Sequence, residues 1–196
     1  AWKAFYKNKA LLCCRAQLGK RAKLLGQVVL PGLTWCGGSW NLTKVQLAKL
    51  RGVQRAMLRK VLGPKRQDNE TVQAFMQRSE GQINEVMLRN GIEGFDDHYH
   101  REVFVWAGHV ARMGDYDPNR PTSQILRLKN WAWICAIASE NAGRQLHCRI
   151  LRTWRWEKPM YKYFDSKSGA WEEAASDRVA WKEKIPVMVE WRRSNR

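Results

Sequence analysis

Residues 43–64, TKVQLAKLRGVQRAMLRKVLGP, carry a complete set of helix signals. Thr43 and Gln46 have capping-box spacing, in which the threonine hydroxyl accepts from a first-turn amide and the glutamine reaches back to the threonine N–H. Leu47, Leu50, Met57, Leu58 and Val61 then recur on one face. Gly63-Pro64 supplies a left-handed stop followed by a residue that does not continue a helix. The spacing predicts an amphipathic helix about 28 Å long.

Upstream, Trp2, Phe5, Leu11, Leu12, Ala16, Leu18, Ala22 and Leu25 form a rough helical stripe, predicting one or two basic helices before residue 25. Between Gly26 and Gly38, the run Val28-Val29-Leu30, Pro31 and the pair Gly37-Gly38 predict a short extended or kinked piece and a flexible turn. Downstream, Val72, Phe75, Met76, Ile83 and Val86, with Leu88 as a further candidate, predict a helix over 70–88 interrupted by Gly81, and Asn90-Gly91 marks the turn after it. Acids at 96 and 97, Arg112 near the end, and Tyr99, Val103, Trp106, Val110 and Met113 on one face predict another helix to Met113. Residues 123–142 are expected to be helical, while 146–157 fit strand or helix equally well. Trp171, Ala174, Arg178 and Trp181 predict a last helix stopping near Ile185-Pro186.

The expected fold class is therefore mainly α: a basic helical bundle over 1–114, a linker rich in Gly and Pro from Gly114 to Thr122, a smaller Trp-rich and mostly helical unit over 122–185, and a basic tail over 186–196. With 196 residues, the chain can bury a core without disulfides or metals. The five cysteines, odd in number and including the adjacent Cys13 and Cys14, make a poor disulfide framework and favour a reducing, intracellular compartment. The longest apolar run is too short to span a bilayer. Opening on Ala1, with Trp2, Phe5 and Tyr6 in what reads as the middle of a folded element, the chain is expected to be a processed or incomplete product.

Charge is the anomaly. Lys and Arg number 35 against 18 Asp and Glu, and residues 1–66 hold 15 of the cations with no acid. Such a block in a segment that also folds points to a polyanionic partner. On the helical wheel Lys44, Arg51, Arg55 and Arg59 fall within about 80° of one another beside the apolar face. Lys49 and Lys60 cross the solvent side, and Lys65 and Arg66 continue the charge past the stop. These eight, with Arg15, Lys20, Arg21 and Lys23 as a second patch, are the expected nucleic-acid contacts, and the planar guanidinium favours RNA. Trp35 and Trp40 beside Gly37-Gly38 could stack on bases but are expected to fill the core under the turn.

No catalytic constellation accompanies this surface. Asp96-Asp97 could hold Mg²⁺, but the acids open a helix and are expected to cap it. His109 has no nucleophile at a recognisable spacing and is expected to be packed or hydrogen-bonded. Cys135, His147 and Cys148 match no zinc-site spacing. No catalytic residue, metal, cofactor or small-molecule substrate is expected.

Trp35-Cys36-Gly37-Gly38-Ser39-Trp40-Asn41-Leu42-Thr43, then LRGVQRAMLRKVLG over 50–63, then WAGHVARM over 106–113, and finally Trp171, Asp177-Arg178 and Trp181, together resemble the region after the palm in reverse transcriptases of non-LTR (LINE-type) retrotransposons. The order of these motifs strengthens the likeness, which covers most of the chain. The resemblance implies a thumb-like helical region that grips an RNA-containing duplex, with Arg51, Arg55 and Arg59 toward the duplex and Trp106, His109 and Arg112 structural or near RNA. The expected function is a non-catalytic, RNA-binding structural component of a ribonucleoprotein, such as a mitochondrial ribosome. Its expected partners are structured RNA, ribosomal RNA foremost, and neighbouring proteins, with no membrane. A fragment of an active RNA-directed DNA polymerase and a Trp-based protein-interaction scaffold are the alternatives.

Overall fold

A computed structural model describes residues 1–40, 42–112, 158–164 and 170–195. The expected linker at 114–122, the segments 123–142 and 146–157, and Cys135, His147 and Cys148 lie outside the described residues. Every regular element among the described residues is helical, as expected.

The chain divides into two compact units, Ala1–Gly37 with Leu42–Tyr99, and Gly38–Asn41 with His100–Arg196. The first unit opens with two short helices, α1 (Trp2–Lys7) and α2 (Lys9–Leu12), followed by α3 (Leu18–Leu33). The extended piece expected after Gly26 is instead the second half of α3, which carries Pro31 in its last turn. A proline there forfeits one backbone hydrogen bond, and the burial of Leu25 and Val29 on the same helix outweighs that loss.

The element that organises the unit is α4 (Lys44–Leu62). Its capping box forms as the sequence predicts: Gln46 N–H donates to Thr43 Oγ1 at 3.3 Å, and Thr43 N–H donates to Gln46 Oε1 at 2.8 Å. Gly63 closes it at φ 65°, the left-handed region that glycine enters without a Cβ clash. α5 (Val72–Asn90) starts on the Thr71 cap and ends on a left-handed Gly91, running unbroken through Gly81. Met57, Leu58 and Val61 of α4 meet Phe5, Leu12, Ala22, Leu25, Val29 and Ile83 in the core.

A buried glutamine ties α4 to the start of α6 (Phe95–Ala111). Gln54, 2% exposed, donates to the Glu93 carbonyl at 2.8 Å and accepts from Phe95 N–H at 2.9 Å, so both ends of its amide are satisfied.

The second unit continues α6 from His100 and adds α7 (Lys158–Tyr163), α8 (Ala170–Ser176) and α9 (Arg178–Ser194). Its core gathers Phe104, Ala107, Met160, Trp171, Trp181, Ile185 and Met188. The single helix expected over Trp171–Ile185 is broken at Asp177, whose carboxylate caps α9 by accepting from Val179 and Ala180 N–H at 2.8 and 3.2 Å. α9 then runs through Pro186 to Ser194, so most of the expected basic tail is helix. Burial of Ile185, Met188 and Val189 around the proline explains why it does not stop there.

Candidate nucleic-acid interface

The arginines of α4 do not project freely into solvent. α4 and α5 pack against each other, and the guanidinium groups of the expected stripe lie along their junction. Arg55 pairs with Glu80 and donates to Asn84 Oδ1 at 3.0 Å. Arg59 reaches Glu80 at 3.5 Å and donates through Nε to the buried Ser79 hydroxyl at 3.1 Å. Arg51 lies 3.6 Å from Asp96, whose side chain is only 4% exposed. Burial, and then the like charge of Arg51, hold the Arg55 guanidinium below its ordinary pKa, with Asp96 opposing and Arg59 adding to the depression.

The repulsion expected among these cations is thus offset from within the chain, by carboxylates on α5 and at the start of α6. Asp96 and Asp97 occupy the first turn of α6, where the helix dipole favours an acid, and are 3% and 5% exposed.

Arg21, expected as a phosphate contact, holds helix ends together. It donates to the carbonyls of Leu12 at 3.2 Å, Ala16 at 2.9 Å and Val61 at 2.7 Å. Leu12 and Val61 lie at the C-terminal ends of α2 and α4, where the helix dipoles favour a cation. The contact brings the start of α3 to the end of α4.

Of the expected contacts, Arg15, Lys20, Lys23, Lys44, Lys49, Lys60, Lys65 and Arg66 are all exposed. Lys3, Lys7 and Lys9 join them. Among the described residues none of these eleven side chains forms an ion pair. The first unit holds seventeen Lys and Arg against seven Asp and Glu. Five of those acids pair with Arg51, Arg55, Arg59, Arg78, Arg89 or His98. What remains outside is mostly lysine. On α4 itself Lys49 and Lys60 share the solvent face about 16 Å apart, with the small Gly52 and Ala56 between them.

Lys65 and Arg66 sit in the loop joining α4 to α5, and that loop is anchored. Arg78 donates to both Glu70 oxygens, at 2.8 and 2.7 Å, and to the Lys65 carbonyl at 2.8 Å. The Arg78 hydrogen bonds pull the Glu70 carboxyl down to about 2, against the opposing effect of burial and with help from Gln67 N–H and the charges of Arg78 and Arg66. Because the folded value lies below the unfolded one of about 4.3, the stabilisation is complete above that value and is lost as pH falls toward 2. In urea titrations, the difference in unfolding midpoint between wild type and Glu70→Gln is expected to be constant above pH 5 and to close as pH approaches 2. A gap that persists at pH 2 would mean that Glu70 acts through something other than its charge.

Trp35 departs from expectation. Its side chain is 77% exposed, whereas Trp40 is half-buried. Two of the residues that the retroelement resemblance implicates are structural in the second unit. Trp106 packs against its core, and Arg112 donates to the Ala175 carbonyl at 2.7 Å, near the C-terminal end of α8. His109 is exposed, its ring 5.6 Å from that of Trp106.

Cys13, Cys14 and Cys36 are exposed and none of them is in a disulfide. Among the described residues no group of three or more His, Cys, Asp or Glu is placed to hold a metal, and no helix is long and apolar enough to cross a membrane. The lysines and Trp35 are exposed, whereas Arg51, Arg55 and Arg59 pair with carboxylates later in the chain. Compared with models of protein families, with curated proteins and with solved structures, the chain matches none.

Proposed function

We propose that the first unit binds RNA through the phosphate backbone without reading its sequence, and that the chain acts as a non-catalytic structural component of a ribonucleoprotein, with the ancestry of a reverse-transcriptase thumb. One observation carries this reading. Arg51, Arg55 and Arg59 pair with carboxylates of the bundle, whereas eleven exposed side chains, nine of them lysines, form no ion pair among the described residues. A lysine ammonium is a mobile point charge that suits phosphate without imposing the planar geometry of base-edge recognition. The spacing of Lys49 and Lys60 on α4 corresponds to roughly five nucleotides of one strand. The resemblance to a polymerase thumb supports structured RNA as the polyanion.

A protein-docking role has less support. Val72 and Met76 of α5 are exposed one turn apart, but Leu88 lies on a different face, so no continuous apolar stripe forms.

The reading is tested by fluorescence anisotropy with a labelled RNA hairpin between 50 and 200 mM salt. The logarithm of the affinity is expected to fall linearly with the logarithm of salt concentration. The triple replacement Lys49→Gln, Lys60→Gln, Lys65→Gln is expected to reduce that slope by about 2–3 and to weaken binding at 100 mM salt by about a hundredfold. Absence of binding at 50 mM salt, or an affinity indifferent to salt, would overturn it.

A further inference from the structure

We infer that Trp35 is a stacking platform for one unpaired base of the bound RNA. The inference rests on the RNA-binding role proposed above and specifies one of its contacts.

The indole follows directly on α3, and a defined turn holds its backbone. Thr34 ends the helix, its N–H and its hydroxyl both donating to the Leu30 carbonyl at 2.8 Å. Gly37 N–H then donates to the Thr34 carbonyl at 2.6 Å, closing a four-residue turn in which Trp35 and Cys36 are the central pair. Cys36 has φ 55°, a conformation that is costly for any residue with a Cβ and is the sole non-glycine instance among the described residues. The turn accepts that cost, and Trp35 stands 77% exposed beside it. Strained backbone kept at a presented side chain points to use of that side chain.

The surroundings select the occupant. Residues 1–66 contain no carboxylate, so nothing near Trp35 in sequence repels phosphate. Lys44 and Lys49, the next cations along the chain after Trp35, are exposed. A base whose backbone phosphates meet those lysines would have a free indole face to lie on. The neighbouring exposed positions Pro31, Gly32 and Cys36 add little apolar area, and the nearest exposed large hydrophobic in sequence is Val45, ten residues on. A protein partner would call for a contiguous apolar patch, whereas a single ring matches a single base. Trp35 has no ring contact or cation–π partner among the described residues that would occupy its faces.

The test compares binding of the full chain to a 16-nucleotide oligoadenylate and to an abasic strand of the same length and charge, at 50 and 150 mM salt. Wild type is expected to prefer the oligoadenylate by about fivefold to a hundredfold. Trp35→Ala and Trp35→Leu should lose that preference while keeping the salt slope, and Trp35→Phe should keep most of it. Thermal melting should be nearly unchanged in all three, because the ring contributes little to the core. An equal preference in wild type and Trp35→Leu would overturn the inference, as would the absence of any preference in wild type; a Trp35 that served a protein partner would give the former. Failure of wild type to bind either strand at 50 mM salt would instead overturn the RNA-binding role itself.

Discussion

Replacing Gly108 by alanine is expected to destabilise the second unit by about 2–4 kcal/mol, although glycine-to-alanine in a helix interior ordinarily stabilises by up to about 1 kcal/mol. A Cβ at Gly108 would fall inside the van der Waals envelope of Trp181, against Nε1 and Cδ1 of the indole. That ring has nowhere to retreat. It is 2% exposed, its Nε1–H donates to the Phe104 carbonyl at 2.9 Å, and it stacks on Phe164 with ring centres 6.0 Å apart. Displacing it breaks a buried hydrogen bond, at a cost of roughly 1–3 kcal/mol, and opens gaps around the largest side chains of the core.

The same contact gives the experiment its control. Trp181→Ala alone is expected to cost about 3–5 kcal/mol through lost burial and the cavity left behind. With the ring removed, however, Gly108→Ala should become neutral or slightly stabilising, because only the helix preference remains. A double-mutant cycle by urea unfolding therefore should show a coupling of more than about 2 kcal/mol, with the effect of the alanine losing or reversing its sign. Additive effects would mean that α6 and α9 do not approach through this glycine.

What could be read in advance follows from the range over which each signal acts. α4 was legible to its last residue because a capping box, a repeating apolar face and a terminal glycine are all local. Pro31 and Pro186 misled because the penalty of a proline is visible in the sequence, whereas the buried side chains that outweigh it are known only once the helix has neighbours. Gly37-Gly38 suggested a flexible turn. Yet the left-handed residue is Cys36, and Gly38 is small because a Cβ there would lie 2.5 Å from Trp106 Cβ and 2.7 Å from the Glu102 carbonyl. Trp35 was expected inside on its apolar area alone and stands outside.

The pairing of the arginine stripe was hidden for a related reason. A run of residues without acids shows which charges lack local partners, but Glu80 and Asp96 arrive from helices that begin after the run has ended. The available hint was the position of Glu80 next to the buried Ser79, at the edge of the packed face of α5. The tying role of Arg21 was not legible because its partners are backbone carbonyls, which leave no trace in the pattern of side chains.

Since Arg55 and Arg59 converge on Glu80, their removal should register as stability before it registers as binding. Their side chains are 33% and 23% exposed, and Glu80 is 36% exposed, so water screens the pairs in part and each is worth less than a fully buried bridge. Even so, Arg55→Ala with Arg59→Ala strips Glu80 of both cations, removes the donor to the buried Ser79 hydroxyl and deletes aliphatic stems packed between α4 and α5. A combined loss of about 2–3 kcal/mol in urea unfolding is expected. At temperatures where the double variant remains folded, the salt slope of RNA binding should stay within about half a unit of wild type, in contrast to the drop of about 2–3 expected when Lys49, Lys60 and Lys65 are neutralised. Glu80→Gln completes the argument from the opposite side. It keeps the volume but removes the anion, so the first unit should lose about 1 kcal/mol, while the two released guanidinium groups become available and RNA affinity rises several-fold at low salt. The opposite pattern, in which the arginine pair lowers the slope by about two and leaves stability untouched, would place these side chains on phosphate and reduce their contacts with Glu80 to a resting arrangement that RNA displaces.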